Sequence, residues 1–164
     1  MADDDMILSF VEGDKKLELS INGYEFDDEH IRQSKERGFT SDLDSEWLMI
    51  KAVYAESGKQ VECYDPSLEV GELKYLSEQL SRILRSTEKH LVVEFTEPDI
   101  VFGFTQTECG YSVLVRFLDE GRGRKYAVTQ TLSLQELGAI RDRVISAYEK
   151  YSNRKLTAAE PDKA

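Results

Sequence analysis

Three carboxylates fall close together at Glu94, Glu97 and Asp99, and theirs are the residue types and spacing that most readily suggest chemistry. Clustered carboxylates hold hard cations such as calcium, or divide acid and base duties in hydrolysis. Hydrolysis of a glycosidic bond asks for more, because one acid must sit in an apolar pocket that raises its pKa. With 32 Asp and Glu among 164 residues, any two can be paired on paper, so proximity selects nothing. The plainer reading makes Glu94 a solvated strand residue, Glu97 a turn former and Asp99 ordinary turn chemistry after Pro98.

Other chemistries find less. His30 and His90 are isolated, without a His-x-x-x-His or Cys-x-x-Cys context, so no metal is expected. No Gly-x-Ser-x-Gly elbow presents a nucleophile. Gly121-Arg122-Gly123-Arg124-Lys125 is Gly-rich and basic. It lies between two strands rather than ahead of a helix, which reads as a flexible hairpin tip before it reads as a phosphate or RNA contact. No catalytic residue and no cofactor is expected, and a small hydrolase built on Glu94, Glu97 and Asp99 is the weakest functional reading.

Charge says more. The formal net charge of −11 repels duplex nucleic acid and anionic membrane, and its natural complement is a basic protein surface. Solubility alone is the bland alternative. Asp27, Asp28, Glu29, Asp42, Asp44 and Glu46 crowd the stretch that ends at Trp47. Such a cluster speeds association with a cationic partner, and salt weakens the effect. Tyr24, Phe26, Phe39 and Trp47 are residue types that anchor interfaces. In the competing reading Trp47 and Phe26 cap the core and the acids are merely solvated. For Trp47 the core is the expectation; for the acids both readings stand.

The first residues carry neither a basic n-region nor an apolar h-region, and no apolar run approaches the length of a membrane span. Cys63 alternates with Val61 on an apolar face, and Cys109 sits in a turn signal ahead of Gly110, where it is open to exposure. Two unpaired thiols fit a reducing cytoplasm.

A sheet-rich frame must position these groups. Leu91, Val93 and Phe95 alternate with Glu94 and Thr96, the chain turns at Glu97-Pro98-Asp99, and Ile100, Phe102 and Phe104 resume the period. That is a hairpin, with Pro98 kept out of the ladder. Residues 6–12 and 16–22 form another across Gly13-Asp14-Lys15, and 47–54 read as a central strand apolar on both faces. Residues 60–64 make a strand that Asp65-Pro66-Ser67 stops before a helix over 69–86, with its stripe at Leu73, Leu76, Leu80, Ile83 and Leu84. Between 23 and 45 the chain is irregular and acidic, with room for a helical turn over 31–37. Strands over 111–118 and 126–132 flank a mobile loop, and the capping box Ser133-Leu134-Gln135-Glu136 opens a second helix running to 151. The class is α+β, a mainly antiparallel sheet of about eight strands with two amphipathic helices, in the order ββββα-ββββα. Residues 1–152 read as a single domain and 153–164 as a flexible tail. The two halves are either an ancient duplication or two similar helix starts.

Three motifs follow one another in register: Asp44-Ser45-Glu46-Trp47-Leu48, Asp65-Pro66-Ser67-Leu68 with Glu72-Leu73, and Phe95-Thr96-Glu97-Pro98-Asp99-Ile100-Val101-Phe102. Together they resemble the Asp-x-x-Trp-Leu, Asp-Pro-x-Leu…Glu-Leu and Phe-x-Glu-Pro-x-Leu-x-Phe motifs of the WapI family of bacterial immunity proteins, over residues 6–151. Ile100 stands where Leu is usual, and Glu46 where Asn is common. The resemblance implies a non-enzymatic cytoplasmic protein that shields its producer from a secreted, contact-dependent toxin, often a nuclease. Within it Trp47, Asp65, Pro66, Leu68, Glu72, Phe95, Glu97, Pro98 and Phe102 are signature residues that read as structural, which leaves the toxin-facing patch to the acidic stretch. A regulatory or scaffolding domain is the alternative.

Overall fold

A computed structural model describes residues 5–38, 46–85 and 88–154; Phe39, Asp42, Asp44 and the chain beyond Arg154 lie outside the described residues. Strands β1 (Asp5–Glu12) and β2 (Lys15–Tyr24) form the first hairpin, and helix α1 (Asp28–Glu36) follows. Then come β3 (Trp47–Glu56), β4 (Lys59–Glu69) and helix α2 (Val70–Arg85). The second half runs β5 (His90–Glu94), β6 (Ile100–Gln106), β7 (Gly110–Asp119), β8 (Arg124–Ser133) and helix α3 (Leu134–Ser152).

The class is α+β, but the strands divide into two four-stranded antiparallel sheets, β1-β2-β3-β4 and β5-β6-β7-β8, rather than one. Short connections let each strand pair only with its sequence neighbours, and α2 carries the chain away from β4 before β5 begins. A third helix also forms. Asp27 caps α1 by accepting from the His30 amide at 2.7 Å, and Asp28, Glu29 and Lys35 sit where the helix dipole favours them.

Period-two alternation builds the core. Leu17, Leu19 and Ile21 lie opposite Tyr54, Ala52 and Ile50, all buried. In the second sheet Val93, Phe102, Val115 and Val128 form one buried row across all four strands. One hydrophobic cluster joins both sheets to α2 and α3. The expectation for β3 was cover on both faces; Leu48, Ile50, Ala52 and Tyr54 are buried, while the set starting at Trp47 is only half-buried.

Three local expectations change. Asp65-Pro66-Ser67 does not end β4. Pro66 sits in an edge strand at a bulge, where 65–68 spans what 48–50 spans on β3, so its missing N–H disrupts no ladder. Helix α2 therefore starts at Val70, and Glu72 caps it by accepting from the Glu69 amide at 2.9 Å. The tip after β7 is pinned rather than loose: buried Asp119 accepts from the Arg122 side chain at 2.7 Å and its amide at 3.2 Å. The capping box at α3 forms as expected.

Helix α3 returns to the first sheet. Arg143 Nε donates to the Ile7 carbonyl at 3.2 Å, and Lys150 and Tyr151 both reach Asp5 Oδ2. The tightest backbone approach is at Gly110, where an added Cβ would lie 2.0 Å from the Leu132 carbonyl oxygen. Gly110→Ala should destabilise by about 2 kcal/mol or more, because backbone rather than a flexible side chain must yield. Gly138→Ala, with nothing within 4 Å of the new Cβ, should instead stabilise by ~0.5–1 kcal/mol. Urea unfolding of both variants checks the contrast.

Candidate functional site

The β4 bulge turns Asp65 outward and Ser67 inward, and Ser67 is fully buried. From the second sheet, the turn after β5 delivers Glu97, Pro98 and Asp99. The Asp99 carbonyl accepts from the Leu118 amide at 2.7 Å, which fixes that turn against β7 and places it beside the β7–β8 tip carrying Glu120. Between these pieces opens a cleft of about 360 Å³. Asp65, Pro66, Glu97, Asp99 and Glu120 line it, with Trp47 and Glu25 on the remaining side. Trp47 is half-buried and belongs to this wall rather than to the core cluster.

Asp99 is the unusual member. It is 2% exposed, its Oδ1 has no hydrogen-bond partner, and its Oδ2 accepts one long bond of 3.3 Å from Ser67 Oγ. Burial pushes its carboxyl up to about 6, helped by the nearby charges of Asp65 and Glu120 and opposed by the Ser67 bond. Burial also raises Asp65, with Glu120, Asp119 and Glu97 adding repulsion. Arg122 does not relieve this field; its guanidinium binds Asp119 and holds that carboxyl below its usual range. Cys63, buried beside Asp119, is pushed up to about 11, chiefly by burial, while Cys109 is exposed.

The carboxylates singled out in sequence are therefore regrouped. Glu97 and Asp99 line the cleft, but exposed Glu94 at the end of β5 does not. Their companions are Asp65 and Glu120, and one oxygen from each of Asp65, Asp99 and Glu120 lies within 4.8 Å of the others. Sequence reading missed Glu120 and Glu25 and took Asp99 for ordinary turn chemistry after Pro98. Only the pairing of three strands and a contact from the other sheet reveals it, and no local signal carries either.

The signature residues also separate by role. Trp47, Asp65, Pro66 and Glu97 converge on the cleft. Leu68 and Phe102 are core, and Phe95 packs edge-on against Phe102 and Tyr75. Pro98 is exposed in the turn. Glu72 staples the two halves, since its other oxygen accepts from the Thr96 amide at 2.6 Å.

Of the acidic stretch, Asp27 is spent on its helix cap and Asp28 pairs with Arg154 at 2.9 Å. Arg154 also donates to the Phe26 carbonyl and lies 4.0 Å from the Tyr24 ring centroid. Glu29 accepts from Gln33, and Glu46 is exposed at the start of β3. A shallow opening over Tyr24, Phe26 and Asp28 shares Glu25 with the acidic cleft, so the two adjoin at that residue.

The sign of the Asp99 shift fixes a pH dependence. The folded state keeps this proton to higher pH than the unfolded chain, so stability falls as pH rises from about 4 through about 6. In chelator-treated buffer Asp99→Asn should exceed the parent by about 2 kcal/mol at pH 7 and lose that lead by pH 4. Urea unfolding at the two pH values measures it; no gain at pH 7 contradicts the assignment.

Among solved structures, the chain is similar to the plant transcriptional regulator PBF-2, at 10% identity over 88% of this chain and 89% of that one, with a TM-score of 0.47. It is also similar to WHY1 from Arabidopsis thaliana, at 12% identity over 89% and 90% of the chains with a TM-score of 0.48. WHY3 from the same plant gives 11% identity over 89% and 88%, with a TM-score of 0.45. No curated protein matches the sequence. The sequence profile of the immunity protein WapI-like family matches residues 7–152, nearly the whole described chain. The chain belongs to the WapI-like immunity protein family.

Proposed function

We propose that this protein neutralises a cognate toxin domain by binding it, without catalysis, in the cytoplasm of the producing cell. Membership of the family supports a toxin-immunity role in general. The finer reading concerns how the toxin is met. It rests on one observation: Glu25, Asp65, Glu97, Asp99 and Glu120, from four separate segments, gather around the half-buried ring of Trp47. Among the described residues no lysine or arginine lines that cleft. An aromatic ring rimmed by carboxylates suits a basic partner surface, because the ring supplies an anchor and the charges steer approach. A nuclease toxin fits well, since its phosphate-binding surface is cationic and an acidic inhibitor can occupy it.

This reading moves the contact from the acidic stretch alone to the cleft and its rim. Asp27 and Asp28 line the opening that adjoins the cleft at Glu25, and exposed Glu46 immediately precedes Trp47 in the chain. Binding to the C-terminal domain of the secreted toxin encoded beside this protein should be nanomolar or tighter. Raising salt from 50 to 500 mM should slow association at least about tenfold, and Glu46→Lys with Glu97→Lys should do the same at low salt. Trp47→Ala should cost about 2 kcal/mol of affinity, mainly in dissociation. Salt-insensitive binding, or full protection by the double lysine variant in co-expression, would sink the electrostatic reading.

A further inference from the structure

We propose that Asp65, Asp99 and Glu120 form a binding site for a hard divalent cation of the calcium type. The proposal goes beyond toxin immunity and rests on this chain alone. One carboxylate oxygen from each residue lies within 4.8 Å of the others, about the span across a cation held by bonds of ~2.4 Å. Proximity of acids is not sufficient, since exposed carboxylates cluster freely. Asp99 supplies the second, independent observation. It is 98% buried by its 2% exposure, yet Oδ1 finds no donor in the protein and Oδ2 has only the 3.3 Å bond from Ser67. A carboxylate has about four acceptor positions, and one this deeply buried ordinarily fills them. Asp99 lines the cleft with one of its oxygens within 4.8 Å of an oxygen from each of the other two carboxylates, where a cation would complete it.

The donor set defines the ligand class. All three groups are hard oxygens with no histidine or thiolate among them, which favours calcium, magnesium or manganese over zinc or copper. Asp65 is half-buried and Glu120 exposed, so one side of the site stays open to water ligands. Calcium accepts that irregular geometry more readily than magnesium, which demands a near-ideal octahedron. The ligands also come from both sheets, Asp65 from β4 and Asp99 and Glu120 from the turns around β6 and β7. A bound cation would therefore clamp the sheets together where three carboxylates otherwise repel.

The protein carries its own reporter, because its one tryptophan, Trp47, lines the same cleft. Full-length protein stripped with chelator is titrated with terbium, exciting the indole and reading terbium emission, and then with calcium as competitor. We expect saturable sensitised emission displaced by calcium at roughly 0.1 mM, a calcium-dependent rise in Tm, and at least tenfold weaker affinity in Asp99→Asn and Glu120→Gln. Asp142→Asn, on the exposed face of α3, should bind as the parent does. Circular dichroism confirms that each variant is folded. Emission that calcium does not displace, or equal affinity in the parent and Asp99→Asn, overturns the site. Loss of toxin capture in Asp99→Asn without any cation binding also overturns it, and assigns the cleft to a basic side chain of the partner. Failure of toxin neutralisation with cation binding intact would count against the immunity reading and not against this one.

Discussion

A carboxylate held out of water beside other carboxylates is the constraint on which this structure turns. Asp99 begins the central hairpin of the second sheet, yet its one side-chain donor is Ser67, from the bulged edge strand of the first. Its backbone carbonyl accepts from the Leu118 amide on β7. The side chain is therefore fixed from two sheets at once and has little freedom to swing into solvent. Everything that makes the cleft acidic follows from this placement. The bulge needed to bring Ser67 inward also turns Asp65 toward the opening, and the β6–β7 pairing that anchors Asp99 brings up Glu120.

Such an arrangement works against folding, and the fold offsets it nearby. Glu72 satisfies an amide on each side of the junction, Glu69 in its own half and Thr96 in the other. The buried row from Val93 to Val128 lies under the hairpin and supplies hydrophobic stabilisation where the charges remove it. Asp119, one residue from Glu120, is itself paired with Arg122, which holds its carboxyl below the usual range although it still adds to the repulsion on Asp65. Local conflict held in place by a well-packed surround is characteristic of sites kept for binding rather than for stability.

Much of the frame was legible in sequence because it is written in local periods. The alternation through Leu91 to Phe104 around Pro98, the α2 stripe and the Ser133–Glu136 box each involve residues within one element, and each formed. What failed to show was whatever depends on contacts between elements. Pro66 reads as a strand terminator, and only its place on an edge strand makes a bulge of it. Two sheets rather than one follow from α2 intervening between β4 and β5, which strand periodicity does not encode. The acidic stretch looked uniformly available, but Arg154, 126 positions along the chain, claims Asp28, and the α1 cap claims Asp27. Motif resemblance found the kinship; it could not show that Trp47, Asp65, Pro66 and Glu97 share a wall.

The most direct measurement of this account is the titration of the Asp99 carboxyl itself, followed by carbon NMR of the metal-free protein. A buried carboxylate facing Asp65 and Glu120 predicts a midpoint near 6, well above the ordinary 3.8. A midpoint at or below 4 would mean that Asp99 is solvated or neutralised by a cation of the protein, and the acidic cleft would not be a charged, unsatisfied site.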